Sequence, residues 1–168
     1  MKSKYLLSKN GVIVMKNEHM KEAICLSVEN VKNGGGPFGV VIVKDNQIIA
    51  TGVNEVTRNN DPTAHAEMQA IRQACQKLQC IDLSGCTIYS SCEPCPMCLG
   101  AIYWAHLDKV YYSNSQKDAQ EIGFDDHFIY SEFILPSSQR KIPLIHINII
   151  EAKEAFQLWL RNENKIRY

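Results

Sequence analysis

Three closely spaced cysteines constrain this chain more than any other feature of its sequence. Cys92, Cys95 and Cys98 follow the pattern C-x2-C-x2-C within "SCEPCPMCLGAIYWA" and lead directly into an apolar stretch. Pro96 is well placed to start a helix, so Cys95 is expected at the helix start, with Cys98 three residues on and on the same face. Both sulfurs then lie near the positive end of the helix, which favours thiolates over thiols. The spacing therefore predicts a pair of thiolates at a helix N-terminus.

Two other uses of a cysteine cluster are less consistent with the residues around it. A ferredoxin-type iron–sulfur run needs another cysteine four positions after the third, but that position is Ile102. A closed structural zinc site needs four ligands, and Cys92 is the obvious local candidate. Cys92 ends the predicted buried strand "CTIYSS", however, and is expected to point elsewhere. Cys95 and Cys98 therefore need a partner from another part of the chain.

The upstream segment "NDPTAHAEMQAI" offers that partner. Residues 61–63 form a helix-start sequence that places His65 and Glu67 in the first turn. A His two residues before a Glu, upstream of P-C-x-x-C, is the signature of zinc-dependent nucleobase deaminases. One imidazole and two thiolates leave a fourth zinc position for water, whose pKa the metal lowers. We therefore predict one zinc ion per chain, bound by His65, Cys95 and Cys98, with Glu67 as the catalytic proton shuttle.

Composition limits the size of the protein and the partners to be expected. The 168 residues, 45% hydrophobic, suffice for one domain spanning 1–168, in which residues 1–16 are predicted to be an N-terminal appendage. Eighteen basic residues balance eighteen acidic ones, so no net charge attracts nucleic acid or an anionic membrane. Seven cysteines, with no recognisable signal peptide and no apolar run of membrane-spanning length, predict reduced thiols in a cytoplasmic protein.

Hydrophobic periodicity predicts alternating helices and strands. The expected elements are a helix over 18–32, a hairpin of "FGVVIV" and "QIIATGV", a helix over 65–78, a strand over 86–90, a helix over 96–105, a strand over 109–112, a strand in "IPLIHINII" and a helix over 151–161. This alternation predicts an α/β fold with helices on both faces of a mostly parallel sheet. The glycines of "NGGGP" precede a strand and lack a Gly-Lys-Ser/Thr ending, so we interpret them as a tight connection.

The motifs resemble those of the cytidine-deaminase-like superfamily. "NDPTAHAE" and the cysteine segment carry this likeness, while "GFDDHFIY" and the final Tyr168 are most similar to the pattern of bacterial guanine deaminases. The resemblance extends from about Asn17 to the end of the chain. It implies a three-layer α/β/α sandwich around a mixed sheet of about five strands, and a homodimer with exchanged C-terminal segments (domain swapping). It also implies hydrolysis of guanine to xanthine and ammonia in purine salvage or catabolism.

The resemblance further implies which residues bind the base. They are Asn54, the backbone amide of Ala66, Asp126, Tyr168, Phe38 and Trp104. The two aromatic residues, Phe38 and Trp104, are equally compatible with plain core positions. An ionised carboxylate only accepts hydrogen bonds, so Asp126 suits the N1–H and exocyclic amine of guanine. Its neighbour Asp125 has the same chemistry, and the sequence does not separate the two.

Other functions remain open at this point. A tRNA adenosine deaminase shares both zinc motifs, but it needs a basic surface for its phosphate-rich partner, which the balanced charge does not favour. Guanosine, cytosine or ammeline as substrate cannot be separated from guanine, because the sequence does not give the shape of the pocket. A zinc-stabilised interaction module without activity leaves Glu67 and Asn54 unexplained. The expected partners are a small purine and a second copy of the chain, without nucleic acid or membrane.

Overall fold

The computed structural model describes residues 12–167, with side chains over 18–167. Within this range the helices are α1 (Val12–Lys32), α2 (Val56–Asn59), α3 (Ala66–Leu78), α4 (Pro96–Trp104), α5 (Gln116–Glu121), α6 (His127–Ile134) and α7 (Lys153–Arg161). The strands are β1 (Gly39–Lys44), β2 (Gln47–Val53), β3 (Cys86–Cys92) and β4 (Lys109–Asn114), and short 3-10 helices cover Ser137–Gln139 and Ile150–Ala152. The chain forms two compact units that meet in sequence between Asp126 and His127. None of the described helices has the length and apolar character needed to cross a membrane.

The four strands form one mixed sheet in the order β2-β1-β3-β4. β1 pairs antiparallel with both β2 and β3, whereas β3 and β4 are parallel. Asp45 and Asn46 join β1 to β2 with φ values of 48° and 62°, the left-handed conformation that a two-residue hairpin turn requires. The α/β class and the mixed sheet are confirmed, but the expectation of a mostly parallel sheet is wrong for the described strands, because two of their three pairings are antiparallel. The expectation of about five strands is wrong for the described residues, which form four.

Helices cover both faces of the sheet. Val40 and Ile42 of β1 pack with Ala70 of α3 and Ile102 of α4 on one face. The alternate residues of β1, which are Val41 and Val43, pack against α1 on the other face. A strand that is buried on both faces needs apolar residues at every position, which explains the continuous run "GVVIV". The resulting arrangement is the three-layer α/β/α sandwich that the sequence predicts.

Glycine allows α3 to lie directly against the backbone of β2. A Cβ atom on Gly52 would overlap the carbonyl oxygen of Ala66, the first residue of α3. Only a residue without a side chain permits this approach. The contact fixes the start of α3 beside the end of β2, at the edge of the sheet where β3 and β4 also end and β1 begins.

The second unit departs from the predicted strand and helix. The segment "IPLIHINII" is not a strand, and several of its side chains are exposed, including Ile142 (78%), Ile145 (80%) and Ile147 (73%). A strand needs a neighbour to pair with its backbone, and no strand pairing is described for this segment. The predicted helix over 151–161 is divided into the 3-10 helix Ile150–Ala152 and α7.

The helix predicted over 18–32 is longer than expected at its N-terminal end. α1 begins at Val12, so the last residues of the predicted appendage belong to this helix. Residues 1–11 lie outside the described part of the chain.

Candidate metal centre and substrate cavity

The three predicted zinc ligands meet at the edge of the sheet where β2, β3 and β4 end. The ligand atoms of His65, Cys95 and Cys98 all lie within 4.8 Å of one another. The Nδ1 atom of His65 is 3.5 Å from the Sγ atom of Cys95 and 3.6 Å from that of Cys98. Cys98 is buried, whereas His65 and Cys95 are half-buried. One imidazole and two sulfurs form a donor set that suits zinc, so these side chains fit the predicted metal.

Two helix N-termini position this donor set. His65 is the N-cap of α3 and Cys95 is the N-cap of α4, and both have the extended backbone typical of that position. Pro96 occupies the first turn of α4, and Cys98 follows at its third position. The positive ends of two helix dipoles therefore lie next to the same cluster, which favours negative charge on the sulfurs.

The two thiols of the cluster differ in their affinity for protons. A hydrogen bond from Cys98 lowers the pKa of Cys95 to about 4, and His65 adds to this effect. The pKa of Cys98 is raised because Cys98 keeps the shared proton and is also buried. This low pKa favours the thiolate form of Cys95 at neutral pH, and Cys98 would give up its proton on binding a metal.

Cys92 belongs to a different environment from the other two cysteines. It ends β3, is 4% exposed, and its Sγ atom lies 3.6 Å from the carbonyl oxygen of Ser115. Burial raises the pKa of this thiol to about 11. A protonated thiol that contacts a carbonyl oxygen is a poor metal ligand, and Cys92 is not part of the described cluster.

Glu67 lies on the first turn of α3, two residues after His65. It is only 6% exposed, and its Oε1 atom accepts a hydrogen bond of 3.3 Å from the hydroxyl of Ser90. Burial raises the pKa of this carboxyl group. A carboxyl group whose pKa is moved towards neutrality can both accept and return a proton, which is the chemistry predicted for this residue.

A cavity of about 410 Å³ opens beside the cluster, a volume typical of sites for small ligands. Three groups of residues supply most of its lining, and Cys92 and Glu93 are among the remaining residues that line it. The metal segment comprises His65, Glu67 and Cys95; the amide segment comprises Gly36, Phe38 and Asn54; and the acidic segment comprises Gln116, Phe124, Asp125 and Asp126.

The amide segment depends on a residue that the sequence analysis did not identify. Asn30 of α1 is 4% exposed, and its Nδ2 atom donates hydrogen bonds of 2.8 Å to the carbonyl oxygens of Gly36 and Asn54. A Cβ atom on Gly36 would lie 2.9 Å from the side-chain oxygen of Asn54. The predicted tight connection thus places Gly36 and Asn54 against each other at the cavity.

The aromatic residues predicted to line the site have different positions. Phe38 lines the cavity and packs edge-on against Phe124, with 4.9 Å between the ring centroids. Trp104 is not among the residues that line this cavity, and its role as an aromatic wall stays a prediction. Trp104 ends α4 and is 68% exposed.

The last two residues assigned from the resemblance are Ala66 and Tyr168. Ala66 is fully buried at the first position of α3, and the contact of its amide with a purine remains a prediction. Tyr168 lies outside the described residues.

The acidic segment separates the two adjacent aspartates. Asp126 is half-buried, and its Oδ1 atom accepts a hydrogen bond of 2.6 Å from Nε2 of Gln116. Asp125 is exposed and accepts a hydrogen bond of 3.2 Å from Gln120. Sequence analysis missed both glutamines, since a side-chain hydrogen bond across a loop leaves no spacing pattern.

Comparisons with known proteins agree with this site. Residues 14–114 match the family model of the cytidine and deoxycytidylate deaminase zinc-binding region. Guanine deaminase of Bacillus subtilis (strain 168) is 53% identical over 150 residues, which cover 89% of this chain and 96% of the relative. The X-ray structure of guanine deaminase from Bacillus subtilis matches with a TM-score of 0.88 and 52% identity, over 90% of this chain and 98% of that one.

A second class of relative covers less of the chain. The tRNA-specific adenosine deaminase of Aquifex aeolicus (strain VF5) is 39% identical over 102 residues, which cover 61% of this chain and 68% of that protein. The family model spans more than half of the chain and includes Glu67 and all three clustered ligands. The chain therefore belongs to the cytidine and deoxycytidylate deaminase zinc-binding family.

Proposed function

We propose that this protein is a zinc-dependent guanine deaminase, which hydrolyses guanine to xanthine and ammonia in purine salvage or catabolism. The observation that carries this proposal is the similarity to guanine deaminase, which extends over 150 residues, whereas the similarity to a tRNA-specific adenosine deaminase extends over 102. The cavity supports it, because a metal-ligand cluster, a buried carboxyl group and a second carboxylate line the same space.

His65, Cys95 and Cys98 would hold the zinc ion, and their atoms are already within reach of one another. When bound, zinc acts as a Lewis acid that lowers the pKa of water and thereby supplies a nucleophile at neutral pH. The buried sheet edge keeps the three side chains in place, so little reorganisation is needed when the metal binds.

Glu67 would move the protons of the reaction. The hydroxyl of Ser90 donates a hydrogen bond to Oε1 of Glu67, and the carboxyl group also interacts with the side chain of Cys98 in the metal cluster. Deamination of guanine needs a proton taken from water and one delivered to the departing amine. A single buried carboxyl group with a raised pKa can do both.

The other two segments would bind the base. The Asn54 side chain can pair with the polar edge of a purine, while the ring of Phe38 offers an apolar surface for the base itself. Asp126 would accept hydrogen bonds from N1–H and from the exocyclic amine of guanine. The Ala66 amide, at the N-terminus of α3, is proposed as an additional donor.

A second copy of the chain is proposed to complete the enzyme. The unit that begins at His127 exposes large apolar side chains, among them Phe128 (56%), Ile134 (85%) and Leu160 (72%). Apolar surface of this extent is typical of an interface. We propose a homodimer with exchanged C-terminal segments, in which Tyr168 of one copy covers the cavity of the other. A cytoplasmic location is also proposed, because all seven cysteines are free.

Ammonia release tests the proposed activity. Guanine, guanosine, cytosine and an adenosine-containing tRNA stem-loop are supplied separately to the zinc-loaded protein and to its Glu67→Gln variant. We expect turnover of guanine by the wild-type protein and a large loss in the variant. Faster turnover of the stem-loop or of cytosine than of guanine would overturn the proposal.

Mixing two inactive chains tests the proposed exchange. One chain carries Glu67→Gln with its C-terminus intact, and the other keeps Glu67 but lacks Tyr168. If Tyr168 acts in the partner subunit, co-refolding the two chains restores part of the activity, because one site per heterodimer is complete. Activity of the chain lacking Tyr168 on its own would show that Tyr168 is dispensable, and no recovery in mixed dimers, with an active wild-type control refolded alongside, would show that Tyr168 acts in its own chain.

A further inference from the structure

The side chain of Gln116 links the acidic segment to the metal-bearing part of the chain. We propose that Gln116 is a positioning residue that makes Asp126, and not Asp125, the carboxylate that binds the substrate. This inference rests on the proposed function, because it concerns the carboxylate that recognises the purine. Its central observation is the 2.6 Å hydrogen bond from Nε2 of Gln116 to Oδ1 of Asp126.

The backbone of Gln116 is held in place from two sides. Gln116 is the first residue of α5, directly after the N-cap Ser115, which forms a capping box with Asp118. The Gln116 amide donates a hydrogen bond of 3.1 Å to a carboxylate oxygen of Glu93. Glu93 lies two residues before the metal ligand Cys95, and its own amide donates to the carbonyl oxygen of Asn114. A series of hydrogen bonds therefore runs from the cysteine segment through Gln116 to Asp126.

An amide is a suitable partner for a carboxylate that must remain available to a ligand. The Gln116 amide donates to Oδ1 of Asp126 and leaves the negative charge in place. An Arg or Lys partner would neutralise that charge. Among the described residues, no hydrogen bond to Oδ2 of Asp126 accompanies this contact, so Oδ2 can accept hydrogen bonds from a base. A carboxylate held in this way favours a base that presents N–H donors at that edge, and it disfavours a base that presents acceptors there.

Asp125 provides an internal comparison. Its glutamine partner, Gln120, lies one turn further along α5, and their hydrogen bond is longer, at 3.2 Å. Asp125 and Gln120 are both exposed, whereas Gln116 and Asp126 are half-buried. The chain thus contains two adjacent glutamine–aspartate pairs of the same chemistry, and only the less exposed pair is expected to affect substrate binding.

A double-mutant cycle tests the inference. Gln116→Leu, Asp126→Asn and the double variant are compared with wild type by steady-state kinetics on guanine, with Gln120→Leu as the matched control. Loss of a hydrogen bond to a charged group predicts a KM for Gln116→Leu that is about tenfold to a hundredfold higher. We expect kcat to change less than KM, with zinc content and melting temperature as in wild type. Gln120→Leu should leave both kinetic constants within about twofold of wild type.

The coupling between the two positions decides the outcome. If Gln116 acts through Asp126, Gln116→Leu has no further effect once Asp126→Asn is present. Additive effects, or an unchanged KM in the single variant, would overturn the inference. Should Gln116→Leu not fold, Gln116→Met keeps the length of the side chain and repeats the test.

The activity of the wild-type protein on guanine distinguishes a failure of this inference from a failure of the proposed function. If the wild-type protein does not deaminate guanine, the proposed function fails, and the same cycle is measured on binding of 8-azaguanine by calorimetry. Coupling between Gln116 and Asp126 in that binding would support the positioning role. Its absence, or no binding at all, would contradict the positioning role.

Discussion

The metal segment and the acidic segment line the same cavity but are held in different ways. His65 and Cys95 are the half-buried N-caps of α3 and α4, which pack on the sheet, and Glu67 in the first turn of α3 is almost fully buried. Gln116 and Asp126 lie on a short helix and on the loop that follows it, and both are partly exposed to solvent. The groups proposed to carry out the reaction are thus held by helices that pack on the core, while the groups proposed to select the substrate lie where packing constrains them less. The two functions should therefore be separable by mutation.

Removing a metal ligand should have the largest effect. Cys98→Ala leaves two ligands for the metal, so we expect loss of zinc and of all measurable ammonia release. Cys92→Ala is the matched control, because Cys92 lies on β3 and contacts Ser115 instead of the cluster. Zinc content measured by atomic emission should fall only in Cys98→Ala. A comparable loss in Cys92→Ala would mean that the ligand set is wrong.

Glu67→Gln should stop the chemistry but keep the architecture of the metal segment. A general acid–base residue contributes about 10²–10⁴-fold in rate, and kcat should fall by that factor. The amide can still accept the hydrogen bond from Ser90, so zinc content and melting temperature should remain near those of wild type. Near-normal turnover by the variant would assign the proton transfer to another group.

The same contrast explains what sequence reasoning found and what it missed. The metal segment was predictable because zinc requires particular residue types at particular spacings, and these remain visible in the chain. Asn30 and Gln116 were missed because their side-chain hydrogen bonds reach across 24 and 10 residues and follow no periodic pattern.

A sequence pattern can indicate a strand or an apolar side chain without specifying which neighbour it pairs with or packs against. The apolar pattern of "IPLIHINII" suggests an extended chain, but it does not say which strand would pair with it. Likewise, the aromatic ring of Trp104 is apolar enough for a cavity wall, yet its position on α4 leaves it 68% exposed. Burial of these side chains depends on neighbours that local sequence does not specify.

Asp126→Asn should weaken the recognition of guanine without affecting zinc binding. The amide replaces an acceptor by a donor facing the N–H groups of guanine, so kcat/KM for guanine should fall by about tenfold to a hundredfold. Zinc content should not change. Asp125→Asn, on the adjacent exposed position, should change kcat/KM by much less. Equal losses in the two variants would remove the distinction drawn between the aspartates.

Asn30→Ala should have the smallest effect. It should also show whether the amide segment behaves like the metal segment or like the acidic segment. The substitution removes the Asn30 donor from the carbonyl oxygens of Gly36 and Asn54, of which that of Gly36 keeps the amide of Phe38, and this loss costs about 1–3 kcal/mol of unfolding free energy. Asn33→Ala, directly after the end of α1, is a control, because the described hydrogen bond of the Asn33 side chain goes to the exposed carbonyl oxygen of Glu29. Denaturant unfolding measures both. A loss confined to KM, with stability unchanged, would group this segment with the acidic one.

The proposed zinc ligands lie in two distant parts of the chain. His65 at the start of α3 and Cys95 at the start of α4 are 30 residues apart, so one bound ion would join two helices that the sequence separates. An ion that binds only the folded chain stabilises it by about 1.4 kcal/mol for each tenfold excess over its dissociation constant. Zinc supply should therefore set how long each molecule survives proteolysis as well as how fast it works. In zinc-starved cells the protein itself should become scarce.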